Sequence, residues 1–214
     1  MSGRVSDLVV SSRWARKPVV SLFLYTLGFT PALWFFLLGV RNELGPDPVR
    51  SFEHTLGLWA FRFLLASLAI TPLRVMFGVN LISYRRMLGL LAFAYAFMHV
   101  TTYIVLDLRF DFAILYRDLT RRPFLIFGMI AFICLLPLAI TSNRMSIRKL
   151  GRNWRRLHRL VYPALIAASV HFLMAFKTWH TDALLYVMCG SALLAVWVVF
   201  YGMKLQKLRL GSSG

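Results

Sequence analysis

Three histidines, His99, His158 and His171, lie in or beside long apolar runs. An ionisable group inside a membrane span is costly and is usually functional. Imidazole ligates metals through either ring nitrogen and also relays protons. A single buried histidine is equally well read as a neutral ring bonded to the next helix, so position has to decide. His99 lies 14 residues beyond Arg85, where one apolar run begins, and His171 lies 14 beyond Leu157, where another begins. At 1.5 Å of rise per residue both stand about 21 Å up their helices. Two imidazoles at one height on neighbouring helices can clamp a flat metal macrocycle from both faces, and imidazole is an axial ligand of haem iron.

His158 is thirteen residues before His171 and falls about 20 Å lower on the same helix. One helix would then serve an upper and a lower site, as a transmembrane electron wire requires. Thirteen ideal steps leave the two side chains about 140° apart around the axis. Pro163 lies between them and can distort the helix. The matching height on the other helix holds Arg85 and Arg86 rather than histidine, so His158 reads as one ligand of a five-coordinate haem, a propionate partner or a contact to another cofactor. His54 is expected near the upper pair, as an assistant or a helix cap. His180 reads as a solvated loop residue.

The elements that position these residues are membrane helices. The chain has 214 residues, is 59% hydrophobic and only 15% charged. Soluble domains run closer to a quarter charged. Six apolar runs, about 18–40, 56–77, 86–106, 123–141, 157–176 and 183–203, approach the ~20 residues that cross a bilayer. Only helices and closed barrels satisfy their backbone in lipid, and these runs are too continuously apolar for barrel strands. The expectation is an all-α integral membrane bundle of six transmembrane helices. A basic segment 1–17 precedes the membrane domain 18–203, and a tail 204–214 ends in GSSG, which reads as a linker remnant. The first run is too long for a signal peptide core and reads as a retained helix.

The net charge of +17 is distributed by side. The N-terminus, the tail and the connections after the second and fourth runs, with Arg74, Arg86 and Arg159 at the adjoining ends of the runs, hold 17 Lys and Arg against one acid, Asp7. The opposite connections hold seven basic and seven acidic residues. This is the positive-inside pattern with both termini cytoplasmic. The basic face can also touch anionic lipid head groups. Nucleic acid is not the partner implied. Cys134 and Cys189 form no CxxC pair and read as plain buried thiols. Pro31, Trp34 and Trp59 read as packing and anchoring residues. No GxGxxG is present, so a nicotinamide cofactor would have to be bound by another protein.

Arg62 lies inside a span and is expected either to snorkel or to pair with a haem propionate. The cytoplasmic cluster Arg144, Arg148, Lys149, Arg152, Arg155, Arg156 and Arg159, with Arg74, Arg85 and Arg86, is first a topology signal. It also suits propionates, a flavin phosphate or an acidic partner. Outer residues Asp107, Asp111, Asp118, Arg121 and Arg122 offer a mixed-charge docking surface.

Several segments in order resemble one family: GPDPV at 45–49, ITPLR at 70–74, RRMLGL at 85–90, HVTTY at 99–103, RRPFLIFGM at 121–129, LAITS at 138–142 and LGRNWRRLHRLVY at 150–162. Over about residues 20–180 the chain resembles the MsrQ (YedZ) family, in the ferric-reductase-like transmembrane group. The resemblance implies a ferric-reductase-like bundle in the bacterial inner membrane, b-type haem (one or two) and FMN. It implies electrons drawn from the quinone pool or a cytoplasmic flavin reductase. They pass to a periplasmic molybdopterin reductase, MsrP-like, that repairs oxidised methionines. The chain would be an electron-transfer subunit, not an enzyme on its own. The larger relatives carry histidine pairs on spans 3 and 5; here span 5 keeps both and span 3 has only His99. Two other readings compete: a transporter with a histidine relay, and a passive anchor subunit. The span cores hold no Asp or Glu and the chain has no inverted repeat, which disfavours the transporter. Equal histidine depth disfavours the anchor.

Overall fold

A computed structural model describes residues 18–175 and 181–210, with side chains for 22–175 and 184–199. The basic segment 1–17, His180 and the terminal GSSG lie outside the described residues. The described chain forms helices α1 (Pro18–Val40), α2 (Pro48–Phe77), α3 (Arg85–Thr102), α4 (Phe112–Arg121), α5 (Pro123–Ile140), α6 (Arg144–Leu150), α7 (Arg152–Leu157), α8 (Val161–Ala175) and α9 (Thr181–Leu210). Among the described residues, five stretches are long and apolar enough to cross a membrane: Leu22–Val40, Pro48–Phe77, Ile82–Asp107, Pro123–Ile140 and Arg152–Ala175. The sixth expected run falls in α9, whose described apolar part, Leu184–Val199, is shorter.

Helix α2 begins eight residues earlier than its apolar run suggests. The Asp47 carboxylate accepts from the Arg50 N–H at 3.1 Å, and Pro48 fills the first turn, where no N–H is needed. Glu53 and His54 are therefore helical, in the first turns of a span. Pro72 neither ends α2 nor stops it short; the helix runs on to Phe77 and closes at Gly78, whose φ of 69° is left-handed. The connection after α3 is not merely solvated. A π turn over Tyr103–Asp107 leads into amphipathic α4, capped by Asp111, which accepts from Ala113 and Ile114.

Four helices, α2, α3, α5 and α8, meet in the centre. Phe61, Leu64, Leu65 and Leu68 of α2 pack with Ala92 of α3, Leu135 of α5 and Ala164, Leu165 and Phe172 of α8. Lipid tails are as apolar as leucine, so close packing rather than water exclusion holds such helices together. Ala92 and Ala164 are fully buried and let the backbones approach. Many large apolar side chains face outward, including Phe23, Leu33, Trp34 and Ile133. That is the expected surface for a protein bathed in hydrocarbon. Cys189 is among the exposed residues and Cys134 is half-buried, so the expectation of two buried thiols fails.

Helix α1 is tied on by Tyr95. Its hydroxyl donates to the Gly28 carbonyl at 2.8 Å and accepts from the Ala32 N–H at 3.1 Å. The phenol thus sits inside one rung of the α1 ladder, next to Pro31, which lacks an N–H of its own.

A paired-imidazole site between two helix hairpins

His99 on α3 and His171 on α8 come together. Their ring centroids are 6.1 Å apart and the planes are inclined at 75°. Both rings stand near the C-terminal ends of their helices, as equal depth requires. Each ring is held by a backbone carbonyl on a neighbouring helix. His99 Nδ1 lies 2.9 Å from the Glu53 oxygen on α2, and His171 Nδ1 lies 2.8 Å from the Phe124 oxygen on α5. A carbonyl only accepts, so Nδ1 must carry the proton in both rings. Both Nε2 atoms are then left with a lone pair, which is the tautomer a metal ligand needs.

The donor set tests what such a pair can hold. Among the described residues no cluster of three or more His, Cys, Asp or Glu side chains could hold a metal ion. Two imidazoles alone do not make a closed metal site. A metal carried in its own ring of four donors needs only these two. Imidazole nitrogen binds first-row metals at about 2 Å, so two rings gripping one metal from opposite faces stand about 6 Å apart between centroids. The observed spacing fits a haem.

His158 is placed differently. It opens a 3₁₀ turn, His158–Leu160, between α7 and α8. Pro163 follows, and having no N–H it cannot continue the regular i to i−4 bonding at that point. Three residues at 120° each instead of 100° reduce the mismatch with His171 from about 140° to about 80°. His158 stacks on Trp154, with centroids 3.9 Å apart, and its Nδ1 lies 3.2 Å from the Trp154 carbonyl. Trp154 is fixed in turn by its Nε1, which donates to the Thr141 carbonyl at 3.0 Å. The Nε2 of His158 is buried without a hydrogen-bond partner. A buried lone pair left unmatched is costly, and its chemistry suits a metal or a hydrogen-bond donor on a ligand.

The remaining expected residues divide. Arg85 is half-buried; its Nη1 bonds Thr71 Oγ1 at 3.3 Å, and it lines a cavity of about 60 Å³ with Tyr162, Trp197 and Pro72. Arg86 is exposed. His54 is exposed on α2, close enough to His99 and His171 to interact electrostatically. Arg62 does not snorkel freely. Its Nε donates to Tyr186 Oη at 2.8 Å, and its guanidinium lies 4.9 Å from the Trp59 ring centroid and 5.4 Å from that of Tyr186. It clamps α2 to α9. One member of the expected outer docking surface is turned inward: buried Asp118 accepts from Tyr103 at 3.0 Å and pairs with Arg122 at 3.5 Å, whereas Asp111 caps α4 and stays exposed. The Glu53 and Phe124 carbonyls were not foreseeable as partners of the rings, because nothing in the sequence relates a backbone oxygen to the histidines.

A membrane helix bundle that brings two imidazoles together belongs to a recognisable class, and residues 56–169 match the family model described as ferric reductase like transmembrane component. The chain is 54% identical over 171 residues to the Protein-methionine-sulfoxide reductase heme-binding subunit MsrQ of Brucella ovis, covering 80% of this chain and 78% of that one. The corresponding proteins of Brucella canis and Brucella suis match equally well. The chain belongs to the MsrQ family.

Proposed function

We propose that the protein is the haem-carrying, electron-transferring membrane subunit of a methionine-sulfoxide reductase system, with His99 and His171 as axial ligands of a b-type haem. The observation that carries this reading is the pair of Nε2 lone pairs on rings 6.1 Å apart, each ring fixed through Nδ1 by a backbone carbonyl. A bound haem iron supplies one-electron exchange. The chain's own part is to fix both rings, exclude water and keep the site near the outer face. His158, with its unmatched buried Nε2, serves a lower site, for a second haem or for FMN; Arg85 stands near it with donors for a propionate or phosphate.

Six spans with both termini cytoplasmic, in the bacterial inner membrane, complete the reading; the one-sided basic charge supports it. A quinol or a cytoplasmic flavin reductase supplies electrons at the basic face. A periplasmic molybdopterin reductase accepts them near α4. Reducing one methionine sulfoxide takes two electrons and two protons and yields methionine and water, so one quinol or reduced flavin balances one repair.

The test is sequential reduction and reoxidation of the purified haem protein. A quinol, or NADH with a flavin reductase, should reduce the haem. The soluble reductase subunit with methionine sulfoxide should reoxidise it. A haem that is reduced but keeps its electrons in the presence of partner and substrate contradicts the proposal.

A further inference from the structure

The two imidazoles are held by the same device used twice. The carbonyl that accepts from His99 belongs to Glu53, and four residues on is Gly57. The carbonyl that accepts from His171 belongs to Phe124, and four residues on is Gly128. In an α-helix the carbonyl of residue i already accepts from the N–H of residue i+4. Its second lone pair is free, but the side chain of residue i+4 stands beside it on the helix surface. A donor from another helix reaches that oxygen only where residue i+4 has little or no side chain. A Cβ built on Gly57 would lie 3.2 Å from His99 Nδ1 and Cε1. One built on Gly128 would lie 2.8 Å from His171 Nδ1 and 2.9 Å from Cε1. The ring atoms a Cβ would strike include the nitrogens that make the bonds.

We propose that Gly57 and Gly128 are positioning residues for the axial histidines, each opening a helical carbonyl so that it fixes the tautomer and angle of one ring. The hairpins α2–α3 and α5–α8 are thereby equivalent half-sites: a carbonyl, a glycine one turn later on the first helix, and a histidine on the second. This inference rests on the haem reading above. It extends to residues that touch neither metal nor porphyrin in that reading. The half-sites are not equally tight. A methyl group at Gly128 requires His171 to move, whereas one at Gly57 requires a shift of a few tenths of an ångström.

The experiment compares Gly57→Ala, Gly128→Ala and Gly89→Ala in the purified full-length protein. Gly89 is the control, since its Cβ would meet only Ser67 Oγ at 3.7 Å. Haem affinity is read by titration, and axial ligation by the low-spin ferric electron paramagnetic resonance signal. Losing an outer partner of a metal-bound histidine lowers affinity on the order of 10–100-fold. Gly128→Ala is expected in that range with loss of the low-spin signal. Gly57→Ala is expected to show a smaller loss and a shifted signal, and Gly89→Ala neither. If Gly128→Ala fails to fold, Gly128→Ala combined with His171→Ala should fold, because the ring that the methyl group strikes is gone. Wild-type affinity and an unchanged low-spin signal in both glycine variants overturn the inference while the haem reading stands. A double variant that still fails to fold also overturns it, by making the glycine a helix-packing residue. A wild-type protein that binds no haem overturns the haem reading and the inference together.

Discussion

The upper and lower histidines use the same residue type and the same first bond, Nδ1 to a backbone carbonyl, yet they are built to different degrees. At the upper site the carbonyls come from other helices, Glu53 on α2 and Phe124 on α5, so each ring is fixed by tertiary structure. At the lower site His158 bonds the carbonyl of Trp154, one turn back on its own chain, and leans on the same residue's ring. Above, a second imidazole is in place. Below, the corresponding height on α3 holds Arg85, a fixed cation that cannot ligate iron. The fixed pair of rings needs four helices to agree; a single ring over an aromatic shelf needs only one local turn. On the proposed reading, the lower site suits a ligand that brings more of its own contacts.

The comparison can be broken most severely at the upper pair. His99→Ala and His171→Ala should each abolish low-spin haem while the protein still inserts, as measured by the pyridine haemochrome of purified variants. His158→Ala should leave that low-spin haem in place and remove only cofactor in excess of one per chain. Equal loss in all three variants would erase the distinction between the sites. Trp154→Ala removes the shelf under His158 and the bond to Thr141, and should destabilise by about 2 kcal/mol. A thermal shift assay in detergent should show this without loss of upper haem. Tyr95→Phe removes the hydroxyl inserted into α1, one turn below His99, and should cost about 1 kcal/mol. Tyr186→Phe takes the hydrogen bond from Arg62 and should have the smallest effect, at or below about 1 kcal/mol.

Much of this architecture is legible from hydropathy. The run 18–40 is helix α1 within its described residues, and 123–141 ends one residue from α5. The equal depth of His99 and His171 follows from counting along helices that rise from the same side, and the ring contact agrees with it. Helix α2 starts early because capping by Asp47 and Pro48 outweighs the polarity of residues 50–54, which a hydropathy window penalises. The 3₁₀ turn at His158 was hinted at only by Pro163. Asp118 looked like surface because Tyr103 meets it only after α4 folds back, although Arg122, four residues on, is a local partner. The carbonyls of Glu53 and Phe124 are backbone atoms, whose use is independent of residue type. Their signal is instead the glycine one turn on, which by itself resembles any small residue in a membrane helix.

The central claim is that His99 and His171 grip one haem between them. The most direct measurement is the optical and paramagnetic resonance spectrum of the purified protein, oxidised and then reduced with dithionite, beside the His99→Ala and His171→Ala variants. The account predicts sharp reduced α and β bands with a low-spin ferric signal in the wild type, and their loss in both variants. Full retention of low-spin haem in either variant would contradict it.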